Sequence, residues 1–144
     1  MSRVCLIAAD KPLPLCDRQS ERTSTVRSMG KDFTITALRG FRVAEHRYYR
    51  AAVELLGYPM KPHQYELELE RHPDDLSHLL EYLRSNFSTG ETVELWNVWV
   101  GADQCRPVRY SGTLADFDMD TLEQLLNPPE RDGAPGQCCL TVGI

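Results

Sequence analysis

The sequence predicts an α+β fold, a two-layer sandwich in which about three helices cover a mixed, largely antiparallel sheet; three observations carry that reading. Tyr65-Glu-Leu-Glu-Leu-Glu70 alternates apolar and acidic residues with the period of a half-buried strand. Pro73 to Phe87 instead spaces its leucines at helical intervals. Hairpin-like neighbours and a crossover from Tyr65 to Val100 give the order β-β-α-β-α-β-β-α-β, which a mixed sheet accommodates.

Arg3 to Ala9 is a compact β-type run, stopped where Pro12 and Pro14 remove ladder donors. Residues 16–32 are rich in Ser, Thr and Arg without apolar periodicity, so a long polar loop is expected there. Phe33 to Leu38 alternates as a half-buried second strand ending at Gly40. Val43 to Leu56 sets Ala44, Tyr48, Ala51, Ala52, Leu55 and Leu56 on one helical stripe, with Gly57 as the stop. In the third strand Tyr65, Leu67 and Leu69 share one face and three glutamates a wet one.

Pro73 suits a first helical turn, and Asp74 and Asp75 complement the dipole. The apolar face of that helix is Leu76, Leu79, Leu80 and Leu83, joined by Phe87. Thr92 to Val100 places Trp96, Val98 and Val100 on one face and Leu95 and Trp99 on the other, so this strand is central. Pro107 to Leu114 reads as its antiparallel neighbour. Asp120-Thr-Leu-Glu123 has capping-box spacing and opens a short helix through Leu126. Cys138 to Ile144 is a last strand placed to pair with the first.

With 144 residues, 42% apolar and 26% charged, the chain reads as one α+β domain over 1–144. The first apolar run is too short for a membrane span and has a poor signal-peptide flank. Five cysteines, an odd number with no C-x-x-C, fit a reducing cytoplasm. The net charge of −5 hides an asymmetry: residues 1–50 hold ten Lys/Arg against five Asp/Glu, the remainder six against sixteen. Two surfaces that attract each other, within the fold or across a dimer, account for such segregation.

No residue pattern names a reaction. His72 and His78 are six apart, wrong for two ligands on one helical face, so no metal site is expected. Asp116, Asp118 and Asp120 resemble the start of a calcium loop but lack its glycine and final glutamate; helix capping explains them better. Neither phosphate-cradling glycine motif is present, and no cofactor is expected. Cys16, near Lys11 and Arg18, and Cys105, beside Arg106, are the candidate thiols for nucleophilic catalysis with a histidine. Vicinal Cys138 and Cys139 point to opposite strand faces. Arg39, Arg42, Arg47 and Arg50 with Tyr48 are candidate contacts to single-stranded nucleic acid, against a pI near 5.3. Trp96 and Trp99 are candidate anchors for a protein partner if one is left uncovered by a helix.

Glu91-Thr-Val-Glu-Leu-Trp-Asn-Val-Trp-Val-Gly101 followed by Leu114 to Leu126, about a quarter of the chain, resembles small uncharacterised bacterial proteins with a Glu-Leu-Trp-x-x-Trp strand before a short terminal helix. The resemblance implies a bacterial origin and a compact α+β domain, and supplies no catalytic residues. Three readings of function follow. The first is a non-catalytic binding or regulatory module that recognises a protein partner or a second copy of itself. The second is a small thiol-dependent enzyme or hydrolase using Cys16 or Cys105, and the third single-stranded nucleic-acid binding through the arginine-rich first third.

Overall fold

The computed structural model of the chain describes residues 2–101 and 106–144. They form an α+β fold with a mixed, largely antiparallel sheet of seven strands, a separate two-stranded sheet and three α-helices. The strands are β1 (Ser2–Ala9), β2 (Cys16–Asp17), β3 (Ser20–Ser28), β4 (Lys31–Arg39), β5 (Arg42–Glu45), β6 (His63–Glu68), β7 (Thr92–Val100), β8 (Val108–Thr113) and β9 (Cys138–Gly143). The helices are α1 (Arg50–Leu56), α2 (Pro73–Asn86) and α3 (Met119–Leu126). The large sheet has the order β2-β5-β6-β1-β7-β9-β8, and β3 pairs only with β4.

Strand alternation sorts the core onto two faces. On one, Ile7, Leu67, Leu95 and Leu140 pack beneath Leu79, Tyr82 and Leu83 of α2 and Leu122 and Leu125 of α3. On the reverse face Val4, Leu6, Trp96, Val98 and Cys139 meet Val53 of α1, and Tyr58 stacks on Trp96 at 5.9 Å. Cys138 and Cys139 divide between these two faces, as adjacent strand residues must. The expected central strand is β7, flanked by β1 and β9.

Several elements differ from the sequence reading. Residues 16–32 are not a long loop: Cys16–Asp17 pairs with β5, and Ser20–Ser28 forms a hairpin with Lys31–Arg39. An apolar period was absent because this hairpin has no core to face, so its strands stay polar. Phe33 to Leu38 is correspondingly exposed rather than half-buried. The expected helix from Val43 is shorter: Phe41 and Val43 are buried with strand periodicity, Val43 pairs with Leu67, and helix begins only at Arg50. Val53, absent from the expected stripe, is its buried residue, whereas Leu55 points to water.

The last strand lies between β7 and β8 instead of beside β1, whose two neighbours are β6 and β7. Val108–Thr113 runs parallel to β9 rather than antiparallel to β7, with α3 forming the crossover between them. The N-cap of α3 is Asp118, whose carboxylate accepts the Thr121 amide at 2.9 Å, two residues before the expected Asp120. His72 caps α2 ahead of Pro73, its Nδ1 accepting the Asp74 amide at 3.1 Å.

Candidate functional site

The β3–β4 hairpin projects as an arm from the edge of the body. Ser28 pairs with Lys31, so Met29 and Gly30 form a two-residue turn, both at positive φ (53° and 76°), as a type I′ hairpin requires. The register places Val26 opposite Phe33, Ser24 opposite Ile35 and Arg22 opposite Ala37, which gathers Val26, Phe33, Ile35 and Ala37 on one face. The opposite face carries a threonine ladder, with Thr23 and Thr36 hydroxyls 3.0 Å apart. Phe33 is 51% exposed and Met29 99%, so the arm offers apolar surface that its own body does not cover.

The root of the arm is fastened by charge. Arg22 donates from both terminal nitrogens to Asp75, at 2.5 and 3.2 Å, and Asp75, fully buried at the start of α2, also accepts the Glu70 amide at 2.7 Å. The bidentate contact holds the guanidinium firmly protonated. Gly40, at φ +126°, closes the root; a Cβ there would sit 3.3 Å from the Arg22 guanidinium and 3.4 Å from the Asp75 carboxylate.

Beside this root the sheet splits. β1 pairs with β6 only from Leu6↔Glu66 to Ala9↔His63, while β6 stays with β5 to Arg42↔Glu68. The two leaves part beyond Leu6, leaving an open cleft of about 630 Å³. Val4, Leu67, Leu69 and Leu126 give it apolar walls, Glu66, Glu68 and Glu70 an acidic side, and Arg3, Cys5 and Asn97 its inner end. Asn97 is fully buried and satisfied: it accepts from Arg3 at 2.8 Å and donates to the Leu125 carbonyl at 2.7 Å.

Glu66 is not on a wholly wet face as its alternation suggested. Its Oε1 is buried, without a hydrogen-bond partner, 4.0 Å from His46 Nδ1. His46, 6% exposed at the end of β5, has neither ring nitrogen hydrogen-bonded. Desolvation, reinforced by Arg50, lowers the imidazole pKa; desolvation and Glu68 raise that of the Glu66 carboxyl. No spacing pattern in the sequence joins these two residues, because it is the β5–β6 pairing that brings them together.

The sequence-selected residues scatter. Arg39 lies 3.8 Å from Glu70 at the arm root, Arg42 3.5 Å from Glu68, Arg47 2.5 Å from Glu45 and Arg50 3.4 Å from Glu54. Each arginine therefore has a carboxylate beside it. Tyr48 is exposed, edge-on to Tyr49. Trp96 is fully buried with Arg109 over its ring, and Trp99 is half-buried beneath Arg3, so neither tryptophan is an open anchor. Cys105 lies outside the described residues. Cys16 lines a pocket of about 240 Å³ with Arg18, His78, Glu81 and Tyr82, and His78 Nδ1 there is buried without a partner.

Burial raises the thiol pKa of Cys5 to about 11 and those of Cys138 and Cys139 to about 12. Among the described residues no group of three His, Cys, Asp or Glu side chains is placed to hold a metal ion, and no helix is long and apolar enough to cross a membrane. No protein-family model, curated protein or solved structure matches the chain.

Proposed function

We propose that the chain is a non-catalytic binding module whose β3–β4 arm clasps a second copy of itself. One observation carries this reading: the arm's apolar face of Val26, Phe33 and Ile35 lies in water. A two-stranded ribbon is marginal in water on its own, and a face of this kind gains stability when another surface covers it. A second copy suits the role because the first fifty residues, which include the arm, are basic and the remainder acidic.

Sedimentation velocity across the micromolar range tests it. The wild type is expected to be dimeric, and Phe33→Asp, which alters only exposed arm surface, monomeric with the thermal midpoint of the wild type diluted to its monomer. A wild type that stays monomeric at high micromolar concentration overturns the reading, whether or not it binds another protein.

A second, enzymatic reading rests on the pocket shared by Cys16 and His78. In that reading His78 takes the thiol proton, the thiolate adds to an acyl carbon and expels the leaving group, which carries off the proton His78 returns, and water then cleaves the thioester to restore the thiol. Comparing alkylation of Cys16 across pH in the wild type and His78→Ala decides it: equal rates at every pH remove the imidazole from the chemistry.

A further inference from the structure

Resting on the self-association just proposed, we infer that each copy's arm adds to the open edge of the other copy's sheet, β4 lying antiparallel to β8 with Phe33 over Gly112. β8 ends the seven-stranded sheet and pairs only with β9. One bond fixes its phase: the Val108 amide donates to the Gln137 carbonyl at 2.9 Å, so Val108, Tyr110 and Gly112 turn their peptide groups to β9, while Arg109 and Ser111 turn theirs outward. Among the described residues no hydrogen bond reaches those outward groups. Nothing in the strand guards them either: β8 has no proline or lysine, and its single charge, Arg109, lies over the Trp96 ring at 5.4 Å. Such an edge is a template for a further strand.

The arm supplies a strand of matching phase. Ser28 and Lys31 flank the two-residue turn as a hydrogen-bonded pair, so Phe33, Ile35 and Ala37 use their peptide groups inside the hairpin, while Thr34 and Thr36 turn theirs outward. Laid antiparallel on β8, Thr34 exchanges bonds with Ser111 and Thr36 with Arg109. That register sets Phe33 opposite Gly112 and Ile35 opposite Tyr110. Opposite residues share a face, so both apolar side chains arrive on the side of β8 where Tyr110 meets the core beneath α3. There a notch of about 310 Å³ opens over Gly112, lined by Phe117, Thr121, Gln124, Leu140 and Val142. A Cβ at Gly112 would meet nothing within 4 Å, and an aromatic ring laid across an edge glycine covers the backbone that the glycine leaves bare. On the reverse face Thr34 meets Ser111, and no like charges are opposed.

The occupant is the other copy's arm, because each arm pairs only within itself and is rooted between β2 and β5, at the far edge of the sheet from β8. A two-fold axis makes the exchange reciprocal and closes it at two copies.

Gly112→Leu fills the notch from open space and leaves the ladder to β9 intact, so it is expected to fold like the wild type and weaken dimerisation roughly tenfold or more. Mixing Thr34→Cys and Ser111→Cys variants under mild oxidation is expected to give an intermolecular disulfide joining the two positions, since a hydrogen-bonded antiparallel pair holds its Cα atoms about 5.5 Å apart. In the wild type, which needs no variant to fold, the Ser111 and Thr34 amides are expected to exchange more slowly above the concentration at which the dimer forms than below it.

If Phe33→Asp abolishes the dimer while Gly112→Leu leaves it intact and neither amide is protected, the contact with β8 is overturned and self-association through the arm survives. Arms that pair with each other would give a disulfide in Thr34→Cys alone and none to Ser111→Cys, which also overturns it. A monomeric wild type overturns both readings.

Discussion

The centre of the seven-stranded sheet, at β1, β7 and β9, hides both of its faces from water, whereas the β3–β4 arm hides almost none of its side chains, although both are built from paired β-strands. β7 reads as a nearly continuous apolar run because it is covered on two sides. β3 reads as a polar loop because it is covered on neither. Backbone pairing alone therefore leaves little trace in composition; what the sequence records is burial. The join between the two regions combines both regimes, since Asp75 belongs to the buried body and Arg22 to the exposed arm.

That join should give the largest single effect. Asp75→Ala leaves a half-buried guanidinium and the Glu70 amide without their acceptor, and breaking a buried pair in this way costs about 3–5 kcal/mol. Urea denaturation should show the loss, and amide exchange in β3 and β4 should accelerate with it. A loss confined to a few tenths of that size would mean the arm is held elsewhere.

Next in size is the contrast between the two regions. Leu95→Ala opens a cavity under α2 and α3 and should cost about 2–5 kcal/mol. Ile35→Ala, on the arm, should change the monomer's stability by no more than about 0.5 kcal/mol. Measured at concentrations low enough to hold the chain monomeric, similar losses at the two sites would contradict the described exposure of the arm.

The legible part of the fold follows the same division. The alternation at Tyr65, Leu67 and Leu69 gave the core face of β6 correctly, and the leucine spacing of α2 gave its buried side. β7 was recognised as central because bulky residues occupy both its faces. Strand neighbours were harder: Cys138–Gly143 has the same pattern whether it lies beside β1 or between β7 and β8, since apolar residues on both faces specify burial but not partner. The exposed arm left one trace in the sequence, the basic charge of the first fifty residues. The turn at Met29 and Gly30 lies inside the expected polar loop, and Met29 lacks the side chain that normally accompanies a type I′ turn. The His46–Glu66 pair arises from the register Glu45↔Tyr65 and Ala44↔Glu66, which no local spacing contains.

That pair makes the body pH-sensitive in a way the outer arm is not, with an effect smaller than those of the core. His46 has a folded pKa below its unfolded one, so as pH falls through about 6.5 the unfolded chain binds the proton first and stability declines. Glu66 has a folded pKa above its unfolded one, so stability declines as pH rises from about 4.3 toward the raised value. His46→Leu should therefore gain stability relative to wild type by more near about pH 5 than near about pH 7.5, and Glu66→Gln by more near about pH 7.5 than near about pH 4. Equal differences at the paired pH values would show that burial perturbs neither group.

The smallest effect sharpens the contrast from the arm's side. Met29 occupies the left-handed region at φ 53°, where Asn is better accommodated and an Asn-Gly turn is favoured. Met29→Asn should stabilise the hairpin by about 1 kcal/mol or less, slowing amide exchange in β3 and β4 while leaving β1 and β7 unchanged. It must be measured in the Phe33→Asp background, where association cannot protect the arm. Slowed exchange throughout the sheet would mean that arm and body open together; slowing confined to the hairpin would mean that the arm opens locally while the body stays closed.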